Sequence, residues 1–394
     1  MKRLLLSLAL VALSACLGAC FGPAGGDPTR IEPIIEPIVT AENSTAPHSA
    51  TPGPTPSPAR PLPTVSIEPI YEYKVKEFFP TENYYLSYET ADGLTLESFC
   101  EYRRERQGQD LVQRRLRIKG KQDGKPFIRT TAFDGQRICE VFDRKSTGFT
   151  YDFTSWAKLE GADILLQEPI ELGESWKVDA GTSTITAVGK LVELPVGELR
   201  VVEVTTQYDD NSRREMLFYS KVGLVAEYHY DAEGQLTASE RLAEYESDRN
   251  DKQIIRFYFA DRSEPGRLVY IPRTVPIEKN QSMERVFRDY LQRKSGNTLV
   301  TLGDDIDINK ITLKDGAVRV DFSVQMAEMA TRSELRPELE RGFLQALANT
   351  FGSYYQVERI YLDIEGEPYY SRNFAALSDD HWTLQLDGIQ EVAN

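Results

Sequence analysis

Residues 282–322, SMERVFRDYLQRKSGNTLVTLGDDIDINKITLKDGAVRVDF, carry the signals that decide the fold. Ser282 is placed to cap a helix in which Met283, Val286, Phe287, Tyr290 and Leu291 recur at helical spacing as one apolar stripe. Lys294 and Gly296 then supply a cationic last turn and a stop. Ile311 and Leu313 alternate into Lys314-Asp315-Gly316, and Val318, Val320 and Phe322 alternate out of it, which predicts two strands joined by a tight Asp-Gly turn. A helix and a hairpin that are each apolar on one face require a partner layer.

The partner layer is legible on both sides. Ile255, Phe257 and Phe259 line one face of a strand, and a second strand runs from Arg267 to Ile277. Downstream, Leu339, Phe343, Ala346, Leu347 and Phe351 form a second helical stripe that leads into Ile360, Leu362 and Ile364. The order strand, strand, helix, hairpin, helix, strand predicts an α/β sandwich of about 110 residues, a sheet covered by two helices.

These residues resemble a GerMN domain, the module named from bacterial sporulation and spore-germination proteins. The resemblance covers residues 254–366 and rests on Ile255-Arg256-Phe257-Tyr258-Phe259-Ala260-Asp261, on Asp315-Gly316-Ala317-Val318-Arg319-Val320-Asp321-Phe322-Ser323, on Ala348-Asn349-Thr350-Phe351, and on Val357-Glu358-Arg359-Ile360 closing at Glu365-Gly366. Where the family has Gly-Pro after the first helix, this chain has Lys294-Ser295-Gly296-Asn297. The resemblance implies a non-enzymatic module that docks on other envelope proteins during sporulation or germination.

At the other end, Lys2 and Arg3 precede an apolar run from Leu4 to Leu13, too short to span a bilayer permanently but suited to a secretory signal. Leu17-Gly18-Ala19-Cys20 and Leu13-Ser14-Ala15-Cys16 both resemble the lipobox of bacterial lipoproteins. Cys20 is the favoured diacylglyceryl acceptor and Cys16 the alternative, because cleavage before Cys16 leaves a further apolar stub. Residues 21–70 turn to Pro, Ser, Thr, Ala and Gly, too poor in apolar surface to offset the entropy of ordering, and read as an extended tether. The expected location is the outer face of the cytoplasmic membrane, with membrane lipid as one partner.

Residues 71–248 read as all-β. Alternating runs such as Leu116 to Lys119, Thr184 to Val188 and Leu199 to Val204 are separated by Asp123-Gly124, Asp134-Gly135 and Glu233-Gly234, which predicts a curved antiparallel sheet or half-barrel. The whole is then an α+β chain: signal 1–20, tether 21–70, β-rich domain 71–248, GerMN-like domain 252–368 and a C-terminal extension 369–394. The polar run Ser247 to Lys252 marks a boundary between halves expected to fold independently.

A net charge of −15 argues against a nucleic-acid partner, since a phosphate backbone rewards the opposite sign. The local exception is Arg103, Arg104, Arg106, Arg114, Arg115, Arg117, Lys119 and Lys121, where Arg115, Arg117 and Lys119 share a strand face opposite Leu116 and Ile118. That alternation predicts a solvated outer face, with contact to anionic headgroups or wall polymer as the alternative. Cys100 and Cys139 admit two readings, a disulfide closing a long loop or two small buried thiols.

Chemistry-bearing motifs are sparse. His48 lies in the tether, so His229 and His381 are the histidines of the folded parts; no pair has metal-ligand spacing, and neither a C-x-x-C nor a G-x-S-x-G occurs. Ser155-Trp156-Ala157-Lys158 and Lys294-Ser295-Gly296 imitate penicillin-binding motifs without the middle element. Asp305-Ile306-Asp307-Ile308-Asn309 opens like a calcium loop, but Lys310 and Gly316 stand where Gly and Glu are needed. The sequence therefore predicts no catalytic residues, metal or cofactor.

Two functions remain. In one, the chain is an anchored assembly protein, with Tyr258, Arg319, Asp321, Arg359, Tyr361 and Asp363 alternating onto a sheet face that the helices leave open as a partner interface. In the other, the β-rich domain carries or senses an apolar ligand such as a lipid. A deep apolar cavity favours the carrier and a filled interior favours assembly.

Overall fold

The computed structural model describes residues 72–120, 126–144, 147–247, 249–293, 298–375 and 381–392, all within one compact unit spanning residues 68–394. The expected signal, Cys16, Cys20 and the whole of the expected tether lie outside the described residues, as does the Lys294–Asn297 departure from the family pattern.

Residues 84–247 build one antiparallel sheet of twelve strands: β1 (Tyr84–Thr90), β2 (Thr95–Arg106), β3 (Gln109–Ile118), β4 (Phe127–Phe133), β5 (Arg137–Arg144), β6 (Asp163–Gln167), β7 (Ser175–Val178), β8 (Gly181–Leu194), β9 (Gly197–Tyr208), β10 (Arg213–Tyr219), β11 (Gly223–Tyr230) and β12 (Leu236–Ser247). The order is β6-β5-β4-β3-β2-β1-β12-β11-β10-β9-β8-β7, so the first and last strands meet in the middle and the consecutive strands β6 and β7 form the two edges. Register shifts in the β1–β12, β2–β3, β4–β5, β8–β9 and β10–β11 pairs bend the sheet. The indole N–H of Trp176 on β7 donates to Ile164 O on β6 at 3.1 Å, and the sheet is nearly closed. This is the curved half-barrel that the alternating runs predict.

The C-terminal region contains the expected elements in the expected order, arranged as two sheets rather than one. β13 (Asp251–Asp261) and β14 (Leu268–Ile277) form a hairpin flanked by β15 (Leu299–Val300). After α1 (Met283–Gln292) come β16 (Ile308–Lys314) and β17 (Ala317–Phe322), and then the short α2 (Met329–Arg332) and the long α3 (Pro337–Tyr355). β18 (Arg359–Ile364) pairs parallel to β17, and β19 (Glu367–Pro368) turns back on β18. The parallel pair is possible because α3 is the crossover between its two strands.

Local chemistry explains each piece. Ser282 Oγ accepts from the Arg285 N–H at 3.2 Å and opens α1, whose Met283, Val286, Phe287 and Leu291 are buried. Asp315 and Gly316 both have positive φ, 52° and 71°, as a two-residue turn that matches strand twist requires. Helix α3 is buried nearly all round from Phe343 to Gly352 because the hairpin packs on one side and the β17–β18 sheet on the other. The outward N–H groups of edge strand β16 are occupied: Ile311 donates to Glu284 Oε1 at 3.3 Å and Leu313 to Tyr151 Oη at 3.5 Å. That edge is closed to strand addition.

The two regions share a core. Ile128, Phe149 and Phe153 of the β-rich region pack in the same hydrophobic cluster as Phe287, Phe351 and Tyr355. Strand β12 ends at Ser247 and β13 begins at Asp251, but the segment 147–156 reaches across that division. Tyr354 Oη accepts from the Thr150 N–H and donates to Gln253 Oε1, both at 2.9 Å, and the Asn280 N–H donates to Glu101 O at 2.8 Å.

The basic run corrects the sequence reading. Arg115 is 1% exposed: it pairs with Glu101 at 2.6 Å, donates to Thr147 O at 2.6 Å and to Phe149 O, and lies 3.9 Å from Asp251. Arg117 bridges Glu97 at 3.0 Å and Asp251 at 2.7 Å. Their face of β3 does point away from the half-barrel interior, but it is covered by segment 147–156 and by β13, which a strand pattern alone cannot reveal. Arg114 has the opposite parity and faces inward.

Cys100 and Cys139 are free thiols on β2 and β5. With β3 and β4 between them they are about three strand spacings apart along the sheet, roughly 14 Å, well beyond disulfide reach. Burial raises both thiol pKa values, that of Cys139 to about 11.

Candidate functional site

The open face of the β16–β17–β18 sheet follows from strand parity. Ile311, Leu313, Val318, Val320, Phe322, Ile360, Leu362 and Ile364 point into the core, so the intervening residues point out. In register, Thr312 lies opposite Arg319, Arg319 beside Tyr361, and Asp321 beside Asp363. Arg319 pairs with Asp363 at 2.6 Å and sits over the Tyr361 ring at 4.4 Å from its centre. Asp321 accepts from the Gly366 N–H at 2.7 Å, and Arg359 donates to Asp315 O. Tyr361 also meets the His381 ring at 5.8 Å.

Five of the six expected face residues are therefore together: Arg319, Asp321, Arg359, Tyr361 and Asp363. Asp363 is the exception in exposure, 2% exposed, and burial raises its carboxyl pKa although Arg319 pulls it down. Tyr258 is elsewhere. It lies on β13, in the other sheet, buried against Tyr270, with its N–H donating to Thr350 Oγ1 of α3 at 2.9 Å. The sequence reading placed all strands in one sheet, and the division into two sheets around α3 puts Tyr258 under the helix.

A second cluster occupies the concave side of the half-barrel, and the sequence reading missed it. Arg129 pairs with Glu140 at 3.1 Å; Arg214 pairs with Glu227 at 2.7 Å and Asp163 at 2.8 Å; His229 Nε2 is 2.9 Å from Glu227 Oε1. Arg114 donates to Ser98 Oγ at 2.7 Å and Tyr84 O at 2.6 Å. Burial alone raises the Glu227 carboxyl pKa, but Arg214, the hydrogen bond to His229 and the field of Arg129 override it and hold that carboxyl far below the usual range. Burial raises Glu140 and Glu240 instead. Arginine and glutamate at inward parity were the available signal; it reads as a solvated face unless the sheet is known to curl around it.

The cavity at this cluster has a volume of about 70 Å³, lined by Leu86, Tyr88, Arg114, Arg129, Glu140 and Glu227 among others. That is far below the few hundred Å³ or more of an ordinary ligand pocket. Apolar residues of two separate clusters fill the space on either side, one around Phe218 and Trp176 and one around Leu116 and Leu217.

The remaining motif residues are engaged structurally. Asp307 pairs with Arg288 at 2.7 Å and Asp305 with Arg332, so the calcium-like opening is an ion-paired turn. Ser155 and Trp156 lie in a single 3-10 turn, Phe153–Trp156, capped by Asp152. Among the described residues, no group of three His, Cys, Asp or Glu is placed to hold a metal ion, and no helix is long and apolar enough to cross a membrane.

Residues 256–370 match the family model described as Germane, sporulation and spore germination, and the C-terminal region is of the kind its strands and turns resemble. No curated protein matches the chain. Among solved structures, the chain is similar to the first GerMN domain of the sporulation protein GerM from Bacillus subtilis, at 18% identity over 33% of this chain and 96% of that one, with a TM-score of 0.25. The tandem GerMN domains of the same protein align at 14% identity over 34% of this chain and 45% of that one, TM-score 0.24. An exported protein with a YmcC-like fold from Bacteroides fragilis aligns at 10% identity over 43% of this chain and 97% of that one, TM-score 0.30.

Proposed function

We propose that this chain is a lipid-anchored, non-enzymatic protein of the outer face of the cytoplasmic membrane, whose Germane-type region docks on other envelope proteins in sporulation or spore germination. The observation that carries the reading is the open sheet face of Arg319, Asp321, Arg359 and Tyr361, which mixes both charges with an aromatic ring, a composition suited to a specific and partly polar interface. Among the described residues, the buried and half-buried charges Arg115, Glu101, Asp251, Arg129, Arg214 and Glu227 are held in ion pairs that serve packing, which supports a role without catalysis. The alternative, a lipid carrier, is disfavoured by an interior that is filled and ion-paired.

Arg319 is a poor choice for testing the face, because its loss leaves the buried Asp363 carboxylate without its cation. Arg359→Glu combined with Tyr361→Ala is the better pair. The thermal melt should fall only modestly, since the Arg319–Asp363 pair is kept and the losses are surface contacts, those of the Tyr361 ring with Arg319 and His381 and of Arg359 with Asp315 O. Recovery of partners in a pull-down from native membranes should fall at least tenfold; undiminished recovery places the interface elsewhere.

Anchoring is tested separately. Metabolic labelling with a fatty-acid analogue is expected to mark the wild-type protein, and the signal should vanish when Cys16 and Cys20 are both changed to Ala. A wild-type chain that stays on the membrane without taking up label rules the anchor out.

A further inference from the structure

Residues 381–392 lie as an extended strap across both C-terminal sheets. Trp382 and Thr383, strand β20, pair antiparallel with Ile360 and Arg359 of β18, while Gln390 and Glu391, strand β21, lie parallel to Val269 and Tyr270 of β14. Between these two short pairings the strap is held by α3, and held by its backbone. Gln345 Nε2 donates to Thr383 O at 2.8 Å, Asn349 Nδ2 donates to Gln385 O at 2.7 Å, and Asn349 Oδ1 accepts from the Gln385 N–H at 3.0 Å. Both amides are buried, where an unmatched amide is costly.

An amide that meets the C=O and the N–H of one residue recognises extended main chain whatever side chain that residue bears. Selectivity comes from one position. Leu384 fills the space that Gly352 leaves open, and a Cβ at Gly352 would fall 2.8 Å from both Leu384 Cδ2 and Ile360 Cδ1. Trp382 packs beside it, partly buried against the same core. A groove of about 530 Å³ lined by Arg341, Gln345, Tyr369, Phe374, Trp382 and Thr383 continues alongside. Most of the strap is exposed, and each of its strand pairings is only two residues long.

We propose that this seat is an extended-peptide-binding site which the strap occupies in cis, and which takes in its place a partner protein's strand of the pattern aromatic-x-Leu-x, matching Trp382-Thr383-Leu384-Gln385. Such a strand gains affinity from main-chain bonds and specificity from the Leu pocket. The strap acts as a tethered competitor, so apparent affinity scales with the fraction of molecules whose seat is open. The seat borders the open face assigned above, because Thr383 pairs with Arg359 and His381 meets the Tyr361 ring, but its α3 amides and Leu pocket lie outside that face, so loss of peptide binding and loss of partner recovery are read separately.

The probe is a labelled peptide with the sequence of residues 381–392, added to the full chain. Leu384→Ala weakens the cis strap and should raise peptide affinity at least tenfold over wild type; adding Asn349→Ala should remove at least that gain. Equal binding to wild type and Leu384→Ala, or binding untouched by Asn349→Ala, overturns the proposal. Should the variants not fold, hydrogen exchange of the wild-type chain decides: the Gln385 amide is expected to exchange ahead of the Leu362 amide in β18. Exchange of both at one rate, through global opening only, overturns it.

Discussion

Arg115→Ala is expected to destabilise the protein by about 3–5 kcal/mol, the cost of leaving the buried Glu101 carboxylate without its cation. Glu101 is 2% exposed and cannot recover solvation without opening the junction, whereas Asp251, equally buried but 3.9 Å from Arg115, keeps its pairing with Arg117 at 2.7 Å. Glu101 lies on β2 and Asp251 on β13, and Arg115 also donates to the 147–149 backbone, which packs toward α3. One side chain therefore ties the half-barrel to the Germane-type region. Denaturant unfolding followed through Trp176 in the half-barrel and Trp382 in the C-terminal region should give coincident transitions that shift together. Arg115→Met with Glu101→Leu should recover part of the loss, because apolar replacement of a buried pair removes the desolvation cost on both sides. Two separate transitions, only one of them moved by Arg115→Ala, would restore the expectation of independent halves that the polar run Ser247 to Lys252 raises.

Acid should loosen the half-barrel through Glu227. Its carboxyl pKa is lowered on folding, so its contribution to stability is present above the unfolded value of about 4.3 and is lost as pH falls through the folded value. Glu140 and Glu240, raised by burial, titrate with the opposite sign and partly offset this loss. The Glu227 contribution is isolated by comparing wild type with Glu227→Gln across pH. The gap should be about 3 kcal/mol at pH 7, at the low end for a broken buried pair because Arg214 keeps Asp163, and should narrow progressively as pH falls below about 4 toward the depressed folded value. A gap that does not change with pH would mean that shape rather than charge sets the role of Glu227.

The sequence by itself determined the local elements, because their signals are local. The Ser282 cap, the Asp315-Gly316 turn, the two helical stripes and the alternation of β16, β17 and β18 depend on neighbours a few residues away, and all are in place. The parity argument likewise assembled Arg319, Asp321, Arg359, Tyr361 and Asp363 on one face. What the tertiary structure alone decided is what covers each face. Alternation states that Arg115 and Leu116 point opposite ways, but whether the Arg115 side meets water or a second region depends on segment 147–156 and on β13, far away in sequence. The same holds for Tyr258, placed under α3 by the split into two sheets, and for Arg114, Arg129 and Glu227, enclosed only because twelve strands curl until Trp176 reaches Ile164. Periodicity is a property of one strand, whereas burial is a property of everything packed against it.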